Sequence, residues 1–278
     1  QAGLFATLGI IVVAHIISAS TGLSVASIAT DKKVESGGTY YIISRSLGLP
    51  IGGTLGWALF VGLSFSVSLY LIGFAEVFLG YFGFEVTLNN IRIAGVIILL
   101  LVTILTFIST SLAIKTQYII MTAMVLSLIS VFLGKHNFVP AALQTDTLPD
   151  SLPWIALFAI FFPAVTGFEA GVSMSGDLKD PKRAIPGGTI AAIVVGFVIY
   201  VGLAYYCSAT VDRRVLVDDP NVLFAISWVP QLVIAGILGA TFSSALGSIL
   251  SAPRILQAVA KDRIAPRFFS KGHGPSNE

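Results

Sequence analysis

The sequence predicts an all-α polytopic membrane protein. Of its 278 residues, 55% are hydrophobic and only 11% are charged, and the mean hydropathy is +0.91. Soluble domains carry about 25% charged residues. Apolar runs of about 20 residues, the length that crosses a bilayer, also recur along the chain.

Seven spans follow from that length, near 4–26, 51–82, 91–110, 115–134, 153–175, 186–208 and 229–251. The second is longer than a crossing needs, which predicts tilt. Short polar connections separate the spans, and Glu35-Ser-Gly-Gly38 and Pro186-Gly-Gly188 read as turns. The first span carries a stripe of small residues, Ala14, Ser18, Gly22 and Ala26. The last carries two, Gly236, Ala240, Ser244, Ser248, Ala252 and Gly239, Ser243, Gly247, Ser251. Small residues every four positions let helix backbones approach closely, so plain packing explains most of them.

Lysine and arginine fall unevenly among the connections. Twelve of the 16 lie after the first, third, fifth and seventh spans; Arg92, Lys135, Arg213 and Arg214 lie on the other side. Cationic loops stay cytoplasmic, which predicts Gln1 outside and Glu278 inside. An outside start with neither an initial methionine nor a signal-peptide pattern predicts a fragment of a longer protein. The net charge of +2 gives no reason to expect a nucleic-acid partner, and the single cysteine, Cys207, allows no internal disulfide. No Walker motif, zinc-ligand spacing or nucleophile elbow is present, so neither an ATP-driven pump nor an intramembrane hydrolase is supported. No enzyme activity and no cofactor are expected.

The fifth span, WIALFAIFFPAVTGFEAGVSMSG, says most about function. Pro163, Gly167 and Gly171 interrupt it. Proline lacks an N–H and clashes with the preceding turn, so the carbonyl near Ala159 loses its helical partner. In hydrocarbon such a group costs several kcal/mol unless something binds it. A helix broken at mid-depth beside Thr166 and Glu169 is how many secondary transporters build a site. A proline kink satisfied by neighbouring helices is the plainer alternative.

Three ionisable groups lie within spans: His15, Glu76 and Glu169. His15 reads as a structural hydrogen bond to a neighbouring helix. Glu76 sits near the outer end of its span, and Glu169 lies at the break. Ser243 and Ser244 are adjacent hydroxyls in the last span. Hard cations prefer oxygen ligands, so two hydroxyls and a freed carbonyl suit sodium; the alternative is that each serine bonds the carbonyl four residues back. Tyr70, deep in the second span, needs a partner for its hydroxyl. The charged run Gly-Asp-Leu-Lys-Asp-Pro-Lys-Arg (176–183) reads as a solvated cytoplasmic loop.

Four blocks of sequence resemble the cation-chloride cotransporter family, within the larger amino acid–polyamine–organocation superfamily. They are TGLSVASIAT (21–30) with SGGTYYIISRSLG (36–48), YLIGFAEVF (70–78), FFPAVTG with SGDLKDPKRAIPGGT (161–189), and ATFSSALGSILSAPRILQAVAKDRIAP (240–266). The resemblance implies the LeuT-like fold of two five-helix inverted repeats, held here as a single transporter domain over 1–278 with family helices two to eight. The break would then be family helix six. Without family helix one, which should supply half of the cation coordination, the chain alone is expected not to transport.

By the same resemblance, Tyr70, Pro163 and Thr166 fall on potassium-coordinating positions. Ala240, Ser243 and Ser244 fall on sodium positions, and the paired serines resemble the sodium-coupled branch. Gly167, Phe168 and Glu169 fall on a chloride site of backbone amides, where a half-helix N-terminus favours an anion. The implied ligands are transported sodium, potassium and chloride, with no resident metal. The implied setting is the plasma membrane, and a homodimer is compatible with it. Short outer connections such as Asp212–Asn221 fit a prokaryotic member.

Glu169 departs from the family, which carries apolar residues there. The stretch Thr-Gly-Phe-Glu-Ala instead resembles amino acid permeases of the same superfamily. An ionised carboxylate would repel bound chloride by about 4 kcal/mol at about 4 Å and an effective dielectric of about 20. Either Glu169 points away, or it is protonated, or this chloride site is lost. Amino acid or polyamine transport is therefore the second expectation. A membrane scaffold that moves no solute is a remote third, since a scaffold has no need of a broken helix.

Overall fold

A computed structural model describes residues 2–31, 37–108, 110–134, 152–168, 171–172, 178, 180–219 and 221–272. Among them there is no strand. The helices are α1 (Leu4–Asp31), α2 (Gly38–Leu47), α3 (Leu49–Tyr81), α4 (Leu88–Ile108) and α5 (Thr110–Phe132), then α6 (Trp154–Phe161), α7 (Pro181–Thr210), α8 (Arg213–Asp218), α9 (Val222–Ile226) and α10 (Pro230–Lys261). Single 3-10 turns follow α6 at Phe162–Val165 and α10 at Arg267–Ser270.

Six of the seven expected spans are helices long and apolar enough to cross a membrane: α1, α3, α4, α5, α7 and α10. The remaining one, the fifth along the chain, is α6, which stops after 8 residues and gives way to the 3-10 turn at Phe162–Val165. Many large apolar side chains point away from the protein, Phe65, Phe107 and Ile119 among them, as lipid-facing helices require.

One expected turn is corrected. Pro186-Gly-Gly188 lies inside α7, which starts five residues earlier with Pro181 in its first turn and Asp180 as N-cap. Proline's missing N–H costs nothing in the first turn, where no carbonyl precedes to receive it. Pro186 gives up a single bond and the helix runs on through it. The other turn is seen only in its second half. Glu35 and Ser36 lie outside the described residues, while Gly37 (φ 94°) and Gly38 (φ 35°) lead into α2. The short helices α2, α8 and α9 were not anticipated, since each lies in a connection.

The chain divides into two compact units. The first holds α1, α6, α7, α8 and α9. In it α1 packs along α7 by its small-residue stripe: Ala14, Ser18, Gly22 and Ala26 are all buried. A Cβ on Gly22 would stand 2.5 Å from Ile193 and 3.2 Å from Thr189, so glycine is what lets the two backbones meet. At the other end Lys182 Nζ donates to the Asp31 carbonyl (3.3 Å).

The second unit holds α2 to α5 and α10. Here α10 packs against α3 and α5. A Cβ on Gly236 would overlap Ser127, and one on Gly239 would lie 3.1 Å from Ile120. The start of α10 is pinned to the end of α5. The Ser130 hydroxyl donates to the Val229 carbonyl (3.0 Å), and the Val229 N–H donates back to that oxygen (2.8 Å). One apolar cluster joins Leu71, Ile98, Val102, Ala245, Leu246 and Leu250; another joins Tyr40 to Ile255, Val259 and Ala265.

Beside that second cluster a polar clasp ties α2 to the end of α10. Arg45 reaches the Asp262 carboxylate with both guanidinium ends, at 2.8 and 3.0 Å, and the Tyr40 hydroxyl donates to Asp262 at 2.7 Å. Burial, with the Asp262 carboxylate beside it, pushes the Tyr40 phenol up to about 12. Burial also presses the Asp262 carboxyl upward, but its hydrogen bonds from Arg45 and Tyr40 outweigh this and hold it below its ordinary range.

Candidate functional site

In the first unit the site is built on the broken helix. The Phe162 N–H still bonds the Phe158 carbonyl. From Pro163 the chain tightens into a 3-10 turn, Thr166 is extended (φ −95°, ψ −178°), and Gly167 takes φ 97°. No atom lies within 4 Å of where a Gly167 Cβ would stand, so glycine is needed there for backbone conformation rather than for space. With the helical ladder interrupted, the carbonyls of residues 163–165 must find other donors.

All three do. The Thr166 hydroxyl donates to the Pro163 carbonyl at 2.7 Å, and the Thr166 N–H joins it at 3.3 Å. The Tyr200 hydroxyl, from α7, donates to the Ala164 carbonyl at 2.8 Å. The Ser18 hydroxyl, from the buried face of α1, donates to the Val165 carbonyl at 3.1 Å. The break is thus met partly by neighbouring helices, as the plainer expectation had it, and partly by its own threonine. Two residues expected to act on one ligand, Pro163 and Thr166, are in direct contact.

His15 is structural. Its Nδ1–H donates to the carbonyl of Ile11 in its own helix, at 2.8 Å, and not to a neighbouring helix. Its ring packs edge-on to Phe197 at 5.1 Å and tilted to Tyr200 at 6.0 Å. Of the expected chloride positions, Gly167 and Phe168 are described, whereas Glu169 lies outside the described residues.

In the second unit, Ala240, Ser243 and Ser244 lie half-buried on α10. Ser243 does not bond back to its own helix. Its hydroxyl donates to the Gln117 side-chain oxygen on α5. Thr241, two residues earlier, shows the contrast: its hydroxyl lies 2.9 Å from the Ile237 carbonyl and 3.1 Å from that of Leu238. A serine oxygen whose proton is taken by another side chain keeps its lone pairs for a cation. Gln117 was missed in the sequence because nothing in its spacing distinguishes it; only the close approach of α5 and α10 at Gly239 brings it there.

Tyr70 stands half-buried on α3, packed against the Leu71–Val102–Leu246 cluster, and Glu76 is exposed on the same helix. Among the described residues no group of three or more His, Cys, Asp or Glu is placed to hold a metal ion.

A family profile described as amino acid permease matches residues 1–275. Solute carrier family 12 member 2 of Mus musculus is 32% identical over 100% of this chain and 28% of its own length. The Homo sapiens protein of the same name is also 32% identical, with the same shares covered. Solute carrier family 12 member 1 of Mus musculus is 30% identical over 100% of this chain and 31% of its own length. The chain thus spans about three tenths of the length of these curated relatives.

Proposed function

The chain belongs to the amino acid permease family, and from that membership and its likeness to solute carrier family 12 proteins we propose that it serves secondary active transport, coupling chloride to potassium and sodium by alternating access in the plasma membrane. The observation that carries this reading is the break at Pro163–Gly167. There an apolar helix stops short and sets a carbonyl and a hydroxyl side by side. Two oxygens so placed suit a monovalent cation.

In this reading Tyr70, Pro163 and Thr166 serve potassium, Ala240, Ser243 and Ser244 serve sodium, and the amides of Gly167, Phe168 and Glu169 serve chloride. The Ser243–Gln117 bond supports the sodium assignment, and the described geometry of Gly167 supports a backbone turned out of the helix. No covalent chemistry is involved.

Rubidium uptake by the full-length protein in proteoliposomes tests the proposal. Uptake that needs both sodium and chloride is the expected result. A second reading, transport of an amino acid or polyamine, draws on the Gly167-Phe168-Glu169 stretch and on the family profile itself. Saturable amino acid exchange without rubidium flux would replace the first reading by the second.

A further inference from the structure

We propose that Tyr200 and Ser18 are positioning residues, whose hydroxyls hold two carbonyls of the broken helix so that a third, that of Pro163, is the one presented to a monovalent cation. This rests on the reading that the break binds a cation. Three successive carbonyls lose the helical ladder at the break, and each is a strong acceptor that needs a donor. Their donors differ in kind. Ala164 and Val165 are met by side chains of two other helices, Tyr200 on α7 at 2.8 Å and Ser18 on α1 at 3.1 Å. Among the described residues, Pro163 is met from its own turn, by the Thr166 N–H and hydroxyl.

The two outside donors are fixed before any ligand arrives. The Tyr200 ring is wedged between Phe161, edge-on at 5.3 Å, and His15, at 6.0 Å. His15 is itself held by its bond to the Ile11 carbonyl (2.8 Å). Ser18 is 4% exposed on the tightly packed face of α1. The Thr166 hydroxyl, by contrast, leaves the Pro163 carbonyl by rotation about a single side-chain bond. It then turns an oxygen lone pair, in place of its proton, toward the incoming charge. Of the break's own oxygens a cation therefore meets one carbonyl and one hydroxyl, and the Ala164 and Val165 carbonyls are withheld from it. That limited set of ligands favours one ion size over another, and it depends on hydroxyls that never touch the ion.

Tyr200→Phe and Ser18→Ala each remove one oxygen and keep the packing. Both would be made in the full-length protein, and rubidium uptake in proteoliposomes would be read as KM, kcat and preference for rubidium over caesium. Each variant is expected to raise the rubidium KM about five- to tenfold, in keeping with loss of one hydrogen bond to the site, with kcat within about twofold and with a lowered rubidium preference. A merely structural role would lower thermal stability and leave KM and ion preference unmoved, and that result overturns the proposal. If Tyr200→Phe does not fold, the Ser18→Ala outcome alone decides. A wild-type protein that carries amino acid and no rubidium would refute the cation reading and this proposal with it. Rubidium transport by wild type with unchanged KM and preference in both variants refutes the positioning role alone.

Discussion

At the scale of single residues, the described part of the site depends on where protons go. The Ser243 hydroxyl donates its hydrogen bond to Gln117, whereas that of Thr241 donates within α10. Gln117→Leu and Ser243→Ala are therefore expected to raise the half-saturating sodium concentration about tenfold, roughly the 1.4 kcal/mol of one charge-assisted contact. Thr241→Ala should change it by less than about twofold. Sodium titrations of rubidium uptake check all three, and equal effects at 241 and 243 would refute the assignment. Gly167 carries a different constraint. Its φ of 97° is strained for any residue with a Cβ, although the space around it is open. Gly167→Ala should cost on the order of 1–3 kcal/mol, seen as a lowered thermal midpoint; an unchanged midpoint would mean that the turn relaxes without loss.

At the scale of helices, small residues decide which elements touch. Gly236→Leu forces side-chain atoms into Ser127 on α5, and overpacking of this kind costs about 1–3 kcal/mol. Reduced thermal stability, with reduced protection of the α5 amides in hydrogen exchange, is expected. The clasp between α2 and α10 behaves differently because it is ionic. Asp262 has its carboxyl held low, so its contribution is full above the ordinary carboxylate range and fades as pH falls through its lowered value. Tyr40 titrates near 12 instead of its ordinary 10.0, so its contribution is full below 10.0 and is lost as pH rises toward about 12. Exchange protection of Gly38–Leu47 should thus be flat through neutral pH and fall at both extremes. Asp262→Asn, measured at neutral pH, should weaken that protection by about 0.5–1 kcal/mol, since Arg45 is partly exposed and such pairs are worth little more.

At the scale of the whole molecule, the chain divides into two compact units, and both apolar clusters described above lie in the second. The substrate question turns on Glu169. Under the ion reading, Glu169→Gln leaves a neutral side chain that cannot oppose chloride, so chloride stimulation of rubidium uptake should persist or strengthen. Under the permease reading, the same change should abolish amino acid exchange. Parallel uptake assays on this one variant separate the two, and loss of chloride dependence would refute the ion reading.

The sequence by itself determined the class of fold, the spans and the place of the break. Those depend on local quantities: the length of an apolar run, proline's missing N–H, and glycine's freedom at Gly167. It also marked the stripes on α1 and α10 as packing faces, because a spacing of four lines residues up on one side of any helix. It misread Pro186-Gly-Gly188 as a turn, because the same residues are tolerated near a helix start and the context of Pro181 decides between the two. Only the tertiary structure decided that Gln117 accepts the Ser243 hydrogen bond and that Tyr200 and Ser18 donate to the Ala164 and Val165 carbonyls at the break. Each of those bonds joins residues far apart in the chain, between helices whose approach is set by side-chain packing, and no local pattern in the sequence encodes which hydroxyl will face which carbonyl.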